Sequence, residues 1–408
     1  MTRPVVKLGD VADMLSGFAF KSQQFLASSE DGVYLVRGDN VQQGFIRWGD
    51  KAKKWRRDSY EDLARYQLQK DDVILAMDRP IVGGGLKLAW VKDQDLPSLL
   101  VQRVTRIRGL ETRARTNYLR YVLSGSSFVA HIDRITTGAN IPHISGKDIS
   151  SFELPLPDLN EQDRIVECIA AYDDLIEVNQ RRIRLLEEVA RLYYREWFVN
   201  FRFPKHELYA SSSGIPQGWH HKTIGELTSF LNRGIAPKYD DDAKGLVINQ
   251  KCIRGGFLNL KPVRKQSKEV KSDRLLQVGD VLINSTGAGT LGRVAIVRSP
   301  LPNCTVDTHV TIARPANASA VAYIGMALLE LESTLSTMGV GSTNQLELSR
   351  ADIATLPIFE PPLGLLKEFQ DLVWPIIEQS EMLGRMNVIL AEVKQELLPR
   401  VMSGEFDV

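Results

Sequence analysis

The 408-residue sequence predicts an α+β chain built twice over. Two homologous globular modules are separated by two long antiparallel coiled-coil helices, with a pseudo-twofold internal repeat. Three observations lead there. The motifs of the first half reappear in the second in the same order. Two segments carry apolar residues at alternating steps of three and four. Each of these segments starts just past a proline-stiffened stretch, "LPLPDLNEQDRI" at 154–165 and "LPIFEPPLGLLKEF" at 356–369. The length fits two or three domains, and 43% hydrophobic with 25% charged residues is ordinary for a globular protein with a sizeable core.

The repeat sets the modules. "VKLGDVADMLSGFAFKS" (6–22) matches "KTIGELTSFLNRGIAPK" (222–238), and "LVRGDNVQQGFI" (35–46) matches "VINQKCIRGGFL" (247–258). "LQKDDVILA" (68–76) matches "LQVGDVLIN" (276–284), and "VTRIR" (104–108) answers "VTIAR" (310–314). "TTGANIPHISGKDIS" (136–150) answers "GVGSTNQLELSRADIA" (339–354), the offset sliding from 216 to 204 residues as loops lengthen or shorten. Residues 1–157 and 220–361 thus form equivalent modules of short β-branched strands, Gly/Asn/Asp turns and a few helices. Helices are expected at "TNYLRYVLSGSSFVAHI" (116–132) and "VAYIGMALLELESTL" (321–335). Residues 201–219, rich in Ser, Gly and Pro, read as a linker.

The long helices occupy about 158–200 and 362–408. Asn160 is a plausible N-cap behind Pro155 and Pro157. The first seam runs Ile165, Ile169, Tyr172, Ile176, Asn179, Ile183, Leu186, Ala190, Tyr193, Trp197. The second runs Phe369, Leu372, Ile376, Gln379, Leu383, Met386, Leu390, Val393, Leu397. Sustained over more than three heptads, this is coiled-coil patterning, and such a helix spans roughly 58 Å. Asn179 and Gln379 are polar residues on an apolar seam, a pattern that sets register. Trp197 and Phe198 read as core, and Pro375 predicts a kink or a break. Because both helices are intrachain and follow homologous modules, antiparallel pairing is the simplest arrangement, giving a ruler with a module at each end.

Charge follows the same division. Residues 1–157 hold 23 basic against 18 acidic side chains, and 201–361 hold 18 against 14. The helical segments are acidic, 6 basic against 10 acidic in 158–200 and 4 against 8 in 362–408. Two basic modules facing a polyanion, joined by helices facing something else, would account for this pattern. No apolar run approaches the ~20 residues of a membrane span. "MTRPVVKLGD" lacks an apolar export core, and Cys168, Cys252 and Cys304 are isolated, so a reducing cytoplasm is expected.

Catalytic machinery is not legible. "SGKD" (145–148) lacks the upstream glycine and the Ser/Thr of a phosphate loop, and no Asn/Asp-Pro-Pro-aromatic methylation motif or HExxH occurs. No metal site, no catalytic residue and no cofactor is expected in this chain. A module that reads base edges needs Arg, Asn or Gln on rigid loops, with basic residues nearby for phosphates. The first module offers Lys21, Arg37, Asn40, Arg79, Lys87, Arg103, Asn140 and His143. The second offers Lys238, Asn249, Lys251, Asn284, Thr286, Arg293, His309 and Asn344. Asp78-Arg79 and Ser285-Thr286 follow the apolar strands "VILAM" and "VLIN", where a turn presents side chains outward. Aromatic interleaving is modest (Phe45, Trp48, Trp55), which disfavours single-strand stacking.

The stretch "LPLPDLNEQDRIVECIAAYDDLIEVNQRRIRLLEEVARLYYREWF" (154–198) and the terminal "ELLPRVMSGEFDV" (396–408) resemble the specificity subunit of type I restriction–modification enzymes. "LGDV" (8–11) and "IPQGWHHKTIGEL" (215–227) look like module entries of that family. Pro361-Pro362 followed by "LGLL", where the first helix has "NEQ", departs from the pattern. The resemblance implies two target recognition domains, each reading one half of an asymmetric bipartite duplex DNA site. It implies helices that fix the unread spacer and dock two methyltransferase (modification) subunits. It also implies motor-nuclease (restriction) subunits, with S-adenosylmethionine, ATP and Mg²⁺ bound by the partners. Rival readings are an orphan or smaller modification system, and a non-catalytic scaffold whose modules bind protein or RNA.

Overall fold

A computed structural model describes residues 3–136, 142–212, 214–287, 289–341 and 346–405. The chain divides into two compact units, Met1–Ile176 with Ile389–Val408, and Glu177–Val388. Each long helix contributes residues to both.

In the first unit, alternating apolar residues build a four-stranded antiparallel sheet in the order Ala12–Ser16, Val104–Gly109, Val73–Ala76, Leu88–Trp90. The strand Val73–Ala76 is buried at every residue, as a run of unbroken apolar side chains requires. A smaller sheet orders Lys54–Trp55, Val33–Val36 and Ser98–Leu100, the last two parallel. Val5–Lys7 pairs with Glu153–Pro155, tying the start of the module to its end. The expected helical stretch forms two helices, Thr116–Ser124 and Ser126–Ile135, split at Gly125.

The second unit repeats this plan strand for strand. Its larger sheet runs Thr228–Arg233, Val310–Pro315, Val281–Asn284, Val294–Ile296, and its smaller one Arg264–Gln266, Gly245–Ile248, Cys304–Val306. His220–Thr223 pairs with Pro357–Glu360. The helical stretch is again double, Val321–Glu330 and Glu332–Thr337. Gly17 and Gly234 occupy one position of the repeat, where a Cβ would lie 2.3 Å from Val101 O and 1.9 Å from Val306 O respectively. Only glycine lets these backbones approach so closely. Ser145 with Asp148, and Ser349 with Asp352, form the same capping box on the same short helix of each module.

A buried ion pair is duplicated too. Asp72 (1% exposed) takes two hydrogen bonds from Arg108, at 2.6 and 2.7 Å, and one from the Gln69 backbone at 2.7 Å. Asp280 (1% exposed) takes two from Arg314, at 2.7 and 2.8 Å, and one from Gln277 at 2.8 Å. Bidentate geometry and a third donor satisfy each carboxylate, which a buried charge demands.

The long helices span Leu159–Tyr194, closed by a wider π turn at Arg195–Val199, and Leu363–Ser403. Within the first unit Arg3 reaches Glu161 at 2.5 Å and the carbonyls of Val401 and Met402, and Asp173 meets Lys394. Within the second unit, Asn179 meets Asn387, Glu187 meets Ser380, and Trp197 meets Phe369. Ascending one helix descends the other, so the pairing is antiparallel. Trp197 and Phe198 are core: they pack with Phe203, Trp219, Tyr323 and Phe369. The segment expected as a plain linker is therefore anchored at both ends, by Phe203 and Trp219.

Two expectations for the second helix need correction. It runs unbroken through Pro375. That residue is exposed, so the carbonyl left without its amide partner faces solvent. Its seam also sits one residue later over much of its length. Val373, Ile377 and Ser380 are buried, whereas Leu372 (37% exposed), Met386 (41%) and Val393 (40%) are open. Gln379 is only half-buried, and the polar seam residues are Ser380 and Asn387. On the first helix Ile165, Ile169, Asn179 and Ala190 are buried and Tyr172, Ile176, Ile183 and Leu186 half-buried. In the second, Phe369 and Leu383 are buried, and Leu390 and Leu397 half-buried. No helix among the described residues is long and apolar enough to cross a membrane.

Candidate nucleic-acid interface

Three loops meet at the end of the larger sheet in each module, and the same backbone bonds hold them. In the first, Met77 N donates to Arg103 O (2.8 Å), Ile144 N to Met77 O (3.0 Å) and Ala76 N to Lys87 O (3.0 Å). In the second, Ser285 N donates to His309 O (2.8 Å), Leu348 N to Ser285 O (2.8 Å) and Asn284 N to Arg293 O (2.9 Å). Asp78 thereby corresponds to Thr286, Arg103 to His309, His143 to Glu347 and Lys87 to Arg293. Isolated bridges Asp78–His143 and Thr286–Glu347 repeat the match.

The side chains differ. In the first module Asp78 lies at the centre, taking Arg103 at 2.6 Å and His143 Nδ1 at 2.6 Å. Burial alone would raise its carboxyl, but the bonds from Arg103 and His143 outweigh this and hold it below the ordinary carboxylate range. Lys87, half-buried beside them, is pulled below the usual lysine value by burial, with Arg79 and Arg47 adding to the effect against Asp39 and Asp78. In the second module Thr286 Oγ1 lies 2.7 Å from His309 Nδ1, and Arg233 donates to Glu347 at 2.6 Å. The His309 backbone donates to Asp307, whose carboxyl burial pushes up.

Of the candidate residues, Arg79, Lys87, Arg103 and His143 thus gather in one cluster, and Thr286, Arg293 and His309 in its counterpart. Arg293 donates to Gly289 O at 2.7 Å. Lys21, Lys238 and Lys251 are exposed on other loops. Arg37 donates to Lys51 O at 2.7 Å and lies over the Phe25 ring. Asn249 caps a turn through Lys251 N (2.9 Å) and donates to Pro262 O (2.9 Å). Two assignments are corrected. Asn40 (0% exposed) ties Arg37 N, Arg47 O and Lys51 O together, and Asn284 (0%) donates to Gln250 O and Thr290 O. Both side chains are fully buried and present no edge to a ligand. Asn140 and Asn344 lie outside the described residues. Sequence reasoning missed Glu347 and Arg233; the aligned "NIPHIS" and "NQLELS" placed Glu347 opposite His143 and could have found it.

Each helix also carries a second apolar row open to solvent. On the first it includes Val178 (53% exposed), Leu185 (52%), Val189 (40%) and Leu192 (57%); on the second, Leu372 (37%), Met382 (52%) and Met386 (41%). These rows keep heptad spacing on a face the intrachain pairing leaves uncovered. Among the described residues no cluster of His, Cys, Asp and Glu could hold a metal ion.

A profile of the type I restriction modification DNA specificity domain matches residues 3–188. The chain is 32% identical over 187 residues to the type I restriction enzyme MjaVIII specificity subunit of Methanocaldococcus jannaschii, covering 46% of this chain and 43% of that one. It is 34% identical over 171 residues to the EcoAI specificity subunit of Escherichia coli, covering 42% and 28%. The chain thus spans less than half the length of these two relatives. A crystal structure of the type I restriction-modification system S subunit from M. genitalium superposes over 100% of both chains with a TM-score of 0.64 at 15% identity, a likeness of fold. Residues 3–188 are thus similar to a type I restriction modification DNA specificity domain, and the fold is like that of an S subunit of such a system.

Proposed function

We propose that each module reads one half of an asymmetric, bipartite duplex DNA site and that the paired helices set the unread spacer. One observation carries this reading: two modules with the same loop junction, atom for atom in the backbone, present different polar side chains from it. A binder of one repeated ligand would have no use for that divergence, whereas a reader of two different half-sites requires it.

The exposed apolar rows support the second part of the proposal, that the helices dock two methyltransferase subunits by helix packing. Those partners would bind S-adenosylmethionine and methylate the site. Restriction subunits using ATP and Mg²⁺ would complete the complex, and the assembly would work in the cytoplasm. This chain supplies address and distance, not chemistry. The test is methylome sequencing of the host with and without the gene. Loss of a split, asymmetric methylation motif on deletion is the expected result. An unchanged methylome in a host that expresses the chain would overturn the reading.

A further inference from the structure

Arg79 sits in the left-handed region at φ +46°, a conformation that side chains other than Gly, Asn and Asp rarely adopt. Its repeat equivalent, two residues past Ser285 as Arg79 is two past Met77, is Gly287 at φ +106°. Both positions therefore take a positive φ, one with the residue that suits it and one with an arginine. The Arg79 amide donates to Pro142 O at 2.7 Å, and Pro80 O accepts from Lys87 N at 2.7 Å, so loops on either side clamp the turn. The Arg79 side chain is exposed, and among the described residues its guanidinium has no hydrogen-bond or ion-pair partner. Its neighbour Arg103, by contrast, is held by Asp78. In the second module nothing charged stands at this position, and Glu347 is occupied by Arg233.

We propose that Arg79 is the specificity-determining residue with which the first module reads a guanine, its guanidinium fork donating to O6 and N7 in the major groove. The inference rests on the reading above that the modules bind duplex DNA. A phosphate contact would not need this placement, since any flexible cation on an unstrained backbone makes one. A planar guanidinium launched from a clamped backbone turn and left unpaired is free for bidentate recognition of a planar edge. Gly287 makes the second module blind at the same point, so the two half-sites differ there.

The test is selection from a randomised duplex library by the purified full chain, at one fixed salt concentration, for wild type, Arg79→Gly and Arg79→Lys. Glycine suits the observed φ, so Arg79→Gly removes the side chain without disturbing the turn. The wild type should enrich a motif in two separated halves. Arg79→Gly should lose preference at one G·C pair of one half by about 10- to 100-fold, the other half staying intact. Arg79→Lys should keep the charge and the salt dependence yet lose the same preference. A wild-type motif retained by either variant would overturn the inference alone. A wild-type chain that enriches no motif would bring down both the inference and the reading beneath it.

Discussion

Asn179 donates its side-chain amide to Asn387 Oδ1 at 3.0 Å across the paired helices of the second unit, and Asn179 is 1% exposed. A polar pair on an apolar seam costs stability and fixes register, because a slipped pairing would bury each amide against hydrocarbon. The coupling energy from a double-mutant cycle with Asn179→Leu and Asn387→Leu should be about 1 kcal/mol or more. Denaturant melts of the four proteins measure it, and additive single effects would deny the pair its role.

The duplicated Asp–Arg pairs should be equally unforgiving. Asp72→Ala leaves Arg108, and Asp280→Ala leaves Arg314, without the carboxylate that balances a largely buried charge. Each should lose about 3–5 kcal/mol in urea unfolding. Similar losses from both would reflect equivalent roles in the two modules.

The exposed apolar rows make the opposite prediction. Leu185→Asp and Met382→Asp alter side chains already 52% exposed, so stability should move by no more than about 0.5 kcal/mol. Co-purification with the methyltransferase subunits proposed as partners should nevertheless fall sharply. Retained assembly would place docking elsewhere.

Acid should loosen the helix pairing of the first unit. Burial pushes the Asp173 carboxyl up, but Lys394, Arg120 and Tyr121 outweigh it and hold the carboxyl below its ordinary value. A depressed folded-state pKa contributes stability that is present above the unfolded value near 4 and lost as pH falls through the lower folded one. The stability gap between wild type and Asp173→Asn should therefore close as pH is lowered from about 5 to about 3, measured by denaturant midpoints.

The two-module architecture was legible because the repeat preserves what fixes a backbone: Gly17 and Gly234, the Ser-x-x-Asp caps, and the aspartates ahead of the buried strands. The second helix was harder. Leu372-Val373 and Ile376-Ile377 each offer two adjacent apolar side chains, so the pattern fits two registers one residue apart. Ser380 settles the matter through its bond to Glu187, which an apolar filter cannot see. Asn40 and Asn284 misled for a related reason. An amide that ties a turn and an amide that meets a ligand are the same letter, and only burial separates them. Arg79 was visible as a residue, but its left-handed backbone was not.

Because Asp78, Arg103 and His143 hang from the same backbone bonds as Thr286, His309 and Glu347, the chain keeps its scaffold and its vocabulary on separate ledgers of inheritance. A lineage can rewrite three letters at a junction without renegotiating sheet, cap or core. Under the proposed reading, a change of address would then need only side chains to change at the junction, because the bonds that hold it run through the backbone.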